Sequence, residues 1–431
     1  IIIAFSFGAL LEALAGFGTP VAVTSVMLIA LGFKPLKAAA LALTANTAPV
    51  AFGAMATPII TLAKVTGLSS DTLGAMVGRQ TPILALFVPL ALLAIVDGWR
   101  GIRETWPVAV VCGLVFALAQ YATSNFISVP LADVAASLLS AAAVVAMVRV
   151  WRPREPYTER AAIAGGAADE PTPEFAARVE GRDTPAEVVR AYAPYLIVIV
   201  VFVVCQITPV KKFLDKATIK FHWPGLHLVS PKGKPVSLVE FTLNLLTTPG
   251  TQMLIAGIIT MIALRLSLPR AAKAYGAALH QLRWAIVTVM GVLALAFVMN
   301  ASGQTITLGT WMAAAGGAFA LISPILGWLG VAVTGSDTSS NSLFGALQVT
   351  AANQAGLSPV LMAAGNSSGG VLGKMISPQN LAIAAAAVGL HGKEGDIFRR
   401  VVIWSVVFLV FICALSALQA SDVLSWMVPH A

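Results

Sequence analysis

Long apolar blocks alternate with short polar breaks along the whole chain. Ile83–Val96, Leu196–Val204, Met253–Leu264 and Val401–Leu415 carry no charged side chain. A helix rises about 1.5 Å per residue and the bilayer hydrocarbon is about 30 Å thick, so roughly 20 mostly apolar residues cross it. The pattern predicts spans over about 82–97, 106–121, 130–150, 191–209, 251–267, 284–300 and 400–418. Regions 36–66 and 359–390 are also long enough, but polar residues, Gly and Pro interrupt them. Residues 151–190 read as a solvated linker of nearly balanced charge. Residues 210–250 read as a loop containing Lys211, Lys212, Lys216, Lys220, Lys232 and Lys234.

The chain repeats itself. Gly16-Phe17-Gly18-Thr19 matches Gly335-Ser336-Asp337-Thr338, and Gly32-Phe33-Lys34-Pro35 matches Gly356-Leu357-Ser358-Pro359. The stretch from Asn46 to Pro58 then matches the stretch from Asn366 to Pro378 without a gap: Asn, a hydroxyl residue, Gly, Met, a second hydroxyl residue and Pro recur in step. Repeats of this kind mark a duplicated architecture. Each copy parses as two short apolar segments around a Gly and hydroxyl cluster, then a helix broken at its Asn. This predicts re-entrant helical hairpins over 1–31 and 325–355, and broken helices over 36–66 and 359–390, with the breaks at 46–49 and 366–370. Such backbone survives at membrane depth only where protein or a water-filled cavity satisfies it. Paired interruptions in two halves point to a transporter's binding site.

The bias of Lys and Arg towards the cytoplasm sets the orientation. It places Arg100, Arg103, the 151–190 loop, Arg265, Arg270, Lys273 and Arg283 inside. Helix parity then opens the first hairpin inwards and the second outwards, so the repeats are inverted. That count takes Gly309–Ala320 as lying along the membrane, and it leaves the Lys-rich 210–250 loop outside, against the bias. Three domains follow: a first repeat over 1–97, connecting helices and a cytoplasmic loop over 98–190, and a second repeat over 191–431. The chain starts Ile1-Ile2-Ile3 inside an apolar segment. This is read as a missing N-terminal part, and symmetry predicts three spans in it.

Composition agrees. Hydrophobic residues make up 58% of the 431, charged residues 11%, and the mean hydropathy is +0.86. A globular protein carries about 25% charged residues. The fold class is therefore all-α and integral to the membrane. The net charge of +8 sits mostly in loops and reports orientation, not nucleic-acid binding. Cys112, Cys205 and Cys413 lie far apart, and the five His residues lack zinc-type spacing. No Walker-A loop is present, so an ion gradient must supply energy. No metal or other cofactor is expected. Unwound segments offer N–H groups and helix N-termini to anions. The clusters Asn46-Thr47 and Asn366–Gly370 therefore suit a small anionic substrate, their alternative being polar capping of broken helices.

Several motifs closely resemble the L-lactate permease family: EALAGFGTPV from Glu12, ANTAPVAFGAM from Ala45, DGWRGIRETWP from Asp97, TGSDTSSN from Thr334 and GKMISPQ from Gly373. The resemblance runs from residue 1 to about 420 and is weakest over 151–250. It implies uptake of L-lactate, often also D-lactate and glycolate, with protons, across the bacterial inner membrane. It also implies a substrate between two hairpin tips and two broken helices. Expected substrate contacts are Gly18, Thr19, Asn46, Thr47, Thr338, Ser339, Asn366, Ser367, Ser368, Gly369 and Lys374. One departure is Ser367-Ser368, where the family pattern leads one to expect Thr-type hydroxyls. Apart from Asp97, Arg100, Arg103 and Glu104, which sit near a membrane border, three charged residues lie inside the motifs: Glu12, Asp337 and Lys374. Ionisable groups at membrane depth are usually functional. Lys374 is expected to balance the substrate carboxylate. Asp337, in a hairpin tip, is the first choice for the coupled proton and Glu12 the second; a structural Lys–carboxylate pair is the alternative. The partners expected are a monocarboxylate, protons and lipid; an oligomer is left open. Competing functions are a sodium-coupled carboxylate carrier, a membrane-embedded enzyme and a passive channel. The sequence offers no catalytic constellation for an enzyme.

Overall fold

The computed structural model describes residues 1–16, 18–151, 184–228 and 239–429. Among the described residues the chain forms two compact units, one from 1–151, 226–228, 239 and 285–429 and the other from 184–225 and 240–284. Among the described residues, five helices are long and apolar enough to cross a bilayer, or up to seven if each bent pair is one span. This is the build of a multi-pass membrane protein.

In the larger unit, a π-helical turn Ile2–Phe7 runs into α1 (Gly8–Leu14), and α2 covers Thr19–Ala30. The chain turns between them on Gly16 and Gly18, with φ of 63° and 79° that side chains resist. Next come α3 (Pro35–Ala45) and a 3₁₀ turn Val50–Phe52 leading into α4 (Gly53–Thr66), with a bend of 65° between them. The break is wider than the expected 46–49. Ala54, Met55 and Ala56 all take left-handed φ, 43°, 57° and 59°. Each costs about 1–2 kcal/mol, so tertiary packing must impose this backbone.

Helices α5 (Ser70–Val77) and α6 (Thr81–Phe126) follow. The 46 residues of α6 would extend about 69 Å as one rod, about twice the hydrocarbon thickness. The rod folds back where Asp97 and Gly98 leave helical geometry. The Thr81 hydroxyl then lies 3.3 Å from the Gln120 side-chain oxygen. Gly113 sits so close to the other arm that a Cβ there would stand 2.6 Å from the Leu86 carbonyl oxygen. The two arms are the two spans expected over 82–97 and 106–121. Helix α7 (Ala132–Val150) packs against them.

The smaller unit contains α8 (Pro185–Gln206), α9 (Thr208–Asp215) and α10 (Pro249–Ala263). Within the expected 210–250 loop, β1 (Thr218–His222) pairs antiparallel with β2 (Glu240–Asn244). Phe221, Trp223 and Phe241 cluster on this ribbon, and Lys220 faces Glu240 at 3.6 Å. Aromatic packing within the pair is what turns loop into strand. The 152–183 part of the expected linker, and Lys232 and Lys234, lie outside the described residues.

Helix α11 (Leu268–Ser302) enters the larger unit, where α12 (Gln304–Ala313), a 3₁₀ turn Gly316–Ala318 and α13 (Phe319–Thr334) follow. Gly335, at φ 73°, turns the chain into α14 (Asp337–Ala355). Helix α15 (Pro359–Gly373) is continuous through 366–370, where a break was expected. The break falls at the 3₁₀ turn Lys374–Ile376 and the extended Ser377, before α16 (Pro378–Ala387). The shift has a packing cause: every residue from 360 to 377 is buried, so α15 sits inside the unit, covered on all sides. Gly365, Gly369 and Gly373 line its contact with α13. Helix α17 (Glu394–Gln419) completes the described spans.

Candidate functional site

The turns and breaks of the larger unit converge in its interior. Glu12, on α1, ends beside Gly53 and Gly16, where Cβ atoms would stand 2.8 and 3.9 Å from its Oε1. That oxygen accepts a hydrogen bond from Lys374 Nζ at 2.5 Å, and both side chains are almost wholly buried, 4% and 7% exposed. The other carboxylate oxygen accepts from Asn46 Nδ2 at 3.0 Å. One constellation thus joins α1, the first break and the second break. Removing two opposite charges from water together costs far less than burying either alone.

A second constellation lies on α14 and α15. Asp337 Oδ2 accepts from the Ser367 hydroxyl at 2.6 Å and from Asn341 Nδ2 at 3.3 Å. Asn341 Nδ2 also reaches the Pro58 carbonyl at 3.3 Å, tying the second half of the chain to the first. Asn366 donates to Asn341 Oδ1 at 2.9 Å and accepts from Gln348 at 3.1 Å. Asp337 Oδ1, Ser339 Oγ and Ser368 Oγ are buried without a partner. Buried polar atoms in this state cost about 1–3 kcal/mol each unless a ligand or water meets them.

Of the two carboxylates that could pair with Lys374, Glu12 and Asp337, it is Glu12 that holds it. The reason is local. Gly16, Gly53 and Ala54 offer almost no side-chain bulk around Glu12, so the ammonium can reach it across the break. Nor does Asp337 cap its helix: Ser336 accepts from the Ser339 N–H at 3.3 Å, and Asp337 is the next residue.

Other expected contacts are placed less directly. Gly18 is buried against Asn380 and Ile383 of α16, while Thr19 is exposed and Thr338 partly exposed. The Thr47 hydroxyl is turned to the Thr44 carbonyl at 2.7 Å. Gly369 faces α13, where a Cβ would stand 2.0 Å from the Pro324 carbonyl oxygen. Sequence reasoning passed over Asn341 and Gln348. The spacing Asp337, Asn341, Gln348 is four and then seven residues, which puts all three on one helix face, so this polar stripe was legible. It also passed over Asp133 and Gln120, single polar residues in otherwise apolar spans. Among the described residues no group of His, Cys, Asp and Glu is placed to hold a metal ion.

Buried charges and amides at helix breaks inside a multi-pass bundle suit a membrane transporter. The comparisons agree: the family model for L-lactate permease matches residues 1–423, and the chain belongs to that family. It is 43% identical to the glycolate permease GlcA of Escherichia coli K12 over 97% of this chain and 77% of the relative. It is also 43% identical to the L-lactate permease of the same organism over 100% of this chain and 79% of the relative. The Bacillus subtilis L-lactate permease is 40% identical over 100% and 79% of the two chains. No solved structure matches the chain significantly.

Proposed function

We propose that this protein imports L-lactate, with D-lactate and glycolate as further substrates, in symport with a proton across the bacterial inner membrane. The observation that carries the reading is the buried Glu12–Lys374 pair at the junction of both helix breaks. Names of relatives supply L-lactate and glycolate; D-lactate follows from the family resemblance alone. In this reading α1 with α2, and α13 with α14, are re-entrant hairpins of an inverted repeat. The substrate lies between their tips and the Asn46 and Asn366 clusters.

The pair explains coupling. Without substrate, ionised Glu12 holds Lys374. When Glu12 takes a proton, Lys374 is released to the carboxylate of the substrate. Asn46, relieved of one acceptor, is free for the 2-hydroxyl group. Both the empty and the fully loaded site are neutral, whereas a site holding only one of proton and lactate carries a charge. A charged site crosses the apolar interior at far greater desolvation cost. Coupling thus moves from Asp337 to Glu12. Asp337 instead fixes Ser367 and Asn341.

The test is transport by purified protein in liposomes in sodium-free buffer, with and without an imposed pH gradient. Wild type should accumulate lactate and glycolate only with the gradient. Glu12→Gln should keep lactate–lactate exchange and lose accumulation, while Asp337→Asn should keep its gradient dependence. Accumulation that requires sodium, or gradient-driven accumulation by Glu12→Gln, would defeat the reading.

A further inference from the structure

A third buried carboxylate lies outside the constellations described above. Asp133, in the first turn of α7, is 0% exposed. Its Oδ1 accepts from Gln120 Nε2 at 2.7 Å, and its Oδ2 is buried with no partner. The Gln120 amide is shared: the same nitrogen lies 3.4 Å from the Ala48 carbonyl oxygen, inside the first helix break. The Gln120 side-chain oxygen takes the Thr81 hydroxyl at 3.3 Å. A line of polar contacts therefore runs from Asp133 through Gln120 to the residue two positions after Asn46.

The elements packed on α7 are the second arm of α6, the π-helical turn, α1 and the 3₁₀ turn Val129–Leu131. Their titratable groups near this face are Cys112 and Glu12. The Cys112 thiol is 3.7 Å from the Ser6 hydroxyl, which also meets Ser140 at 2.9 Å. Glu12 is engaged by Lys374 and Asn46. Neither bonds to Asp133, and no cation does so among the described residues. A lone carboxylate ion with one amide donor in so apolar a place would cost several kcal/mol. The uncharged acid, with its proton on Oδ2, costs far less, only that of one unpartnered buried hydroxyl.

We propose that Asp133 is a proton-binding site and a positioning residue for the first helix break. With the proton bound, Oδ1 is a weak acceptor and the two N–H groups of the Gln120 amide serve Asp133 and the Ala48 carbonyl together. Loss of the proton makes Oδ1 a strong, charged acceptor that draws the Gln120 amide off Ala48. The break that presents Asn46 then relaxes. Substrate affinity falls on the alkaline side by a route separate from Glu12. The step is a simple proton exchange with water when the break opens and needs no other reactant. The link to affinity rests on the substrate reading above; the proton site itself does not.

Two measurements decide it. The first is the infrared carbonyl band of a protonated carboxylic acid, recorded at neutral pH on purified protein without ligand. It should persist in Glu12→Gln/Asp337→Asn and vanish when Asp133→Asn is added. Its absence from the double variant, or its survival in the triple, would overturn the proton site. The second is the ratio of lactate affinities at pH 6 and pH 8. It should shrink about tenfold in Asp133→Asn, the worth of one hydrogen bond. Gln120→Met, which leaves Asp133 untouched, should shrink it as well. A wild-type ratio in Gln120→Met would overturn the positioning role. If lactate does not bind at all, the substrate reading fails, while the infrared measurement still decides the proton site.

Discussion

At the scale of single residues, the interior is organised by which donor each carboxylate holds. Asn46 gives one amide hydrogen to Glu12, and its loss in Asn46→Ala removes a hydrogen bond to a charged group. In the substrate reading the same amide serves lactate. Uptake affinity should therefore fall about ten- to a hundredfold with membrane expression intact, as read by radiolabelled lactate uptake and immunoblot. Lys374→Met is a sharper probe. It leaves Glu12 buried beside Asn46 without its cation, which costs about 3–5 kcal/mol. Melting of the purified protein should drop by several degrees. Glu12→Gln/Lys374→Met should recover most of the loss; a double variant no better than the single would show that the pair contributes nothing special. The candidacy of Glu12 and Lys374 was legible, since charges inside apolar motifs stand out. Which carboxylate Lys374 chooses was not. That depends on the bulk around Glu12 at Gly16 and at Gly53-Ala54, two places far apart in sequence and joined only by the fold.

At the scale of elements, glycine does more than relax turns. Gly365, Gly369 and Gly373 recur every four residues and form one seam of α15, and Gly327 answers from α13, where a Cβ would stand 1.8 Å from the Asn366 carbonyl oxygen. In a membrane, helices gain little from apolar burial against each other and rely on close backbone approach across small residues. The family motif around Asn366 therefore mixes chemistry with packing. Asn366 and Ser367 hydrogen-bond, whereas Gly369 meets a neighbouring backbone. Gly369→Val should drive α15 off α13, lower the yield of monodisperse protein in size-exclusion chromatography and abolish uptake. Gly257→Val in α10, where a side chain meets nothing within 4 Å, should do neither. A Gly369→Val protein with normal yield and melting would refute the seam. The breaks show the same limit of sequence reading. Asn and hydroxyl clusters marked the right regions, because such residues compete with helical backbone bonds. In α15 the neighbours supply close packing on every side, the helix continues, and the chain breaks only at Lys374. In the first copy Pro49 and the space beside Glu12 let the break run on to Ala56.

At the scale of the whole molecule, the reading requires the two hairpins to open to opposite sides of the membrane. The motive is the ordered repeat together with the distribution of Lys and Arg, since Lys34 and Lys37 follow the first hairpin and no Lys or Arg lies between Phe319 and Gly373. Lys34 and Gln354 are exposed near the ends of the two hairpins, which makes them suitable reporters. Cys112 and Cys413 are buried and Cys205 partly so, so replacing Cys205 by Ser gives a quiet background. In that background Gln354→Cys should react with a membrane-impermeant maleimide in intact cells. Lys34→Cys should react only after the membrane is opened. The positive charge of Lys34 is lost in this variant, but Lys37 remains, and the Lys/Arg bias acts on clusters more than on single residues. Both hairpins serve one buried site only if access alternates between two faces, because an inverted pair gives each face its own gate around a common centre. Labelling of both cysteines from the same side would leave the Glu12–Lys374 pair and its packing intact, but would remove the inverted repeat, and with it the symmetry that assigns one gate to each half.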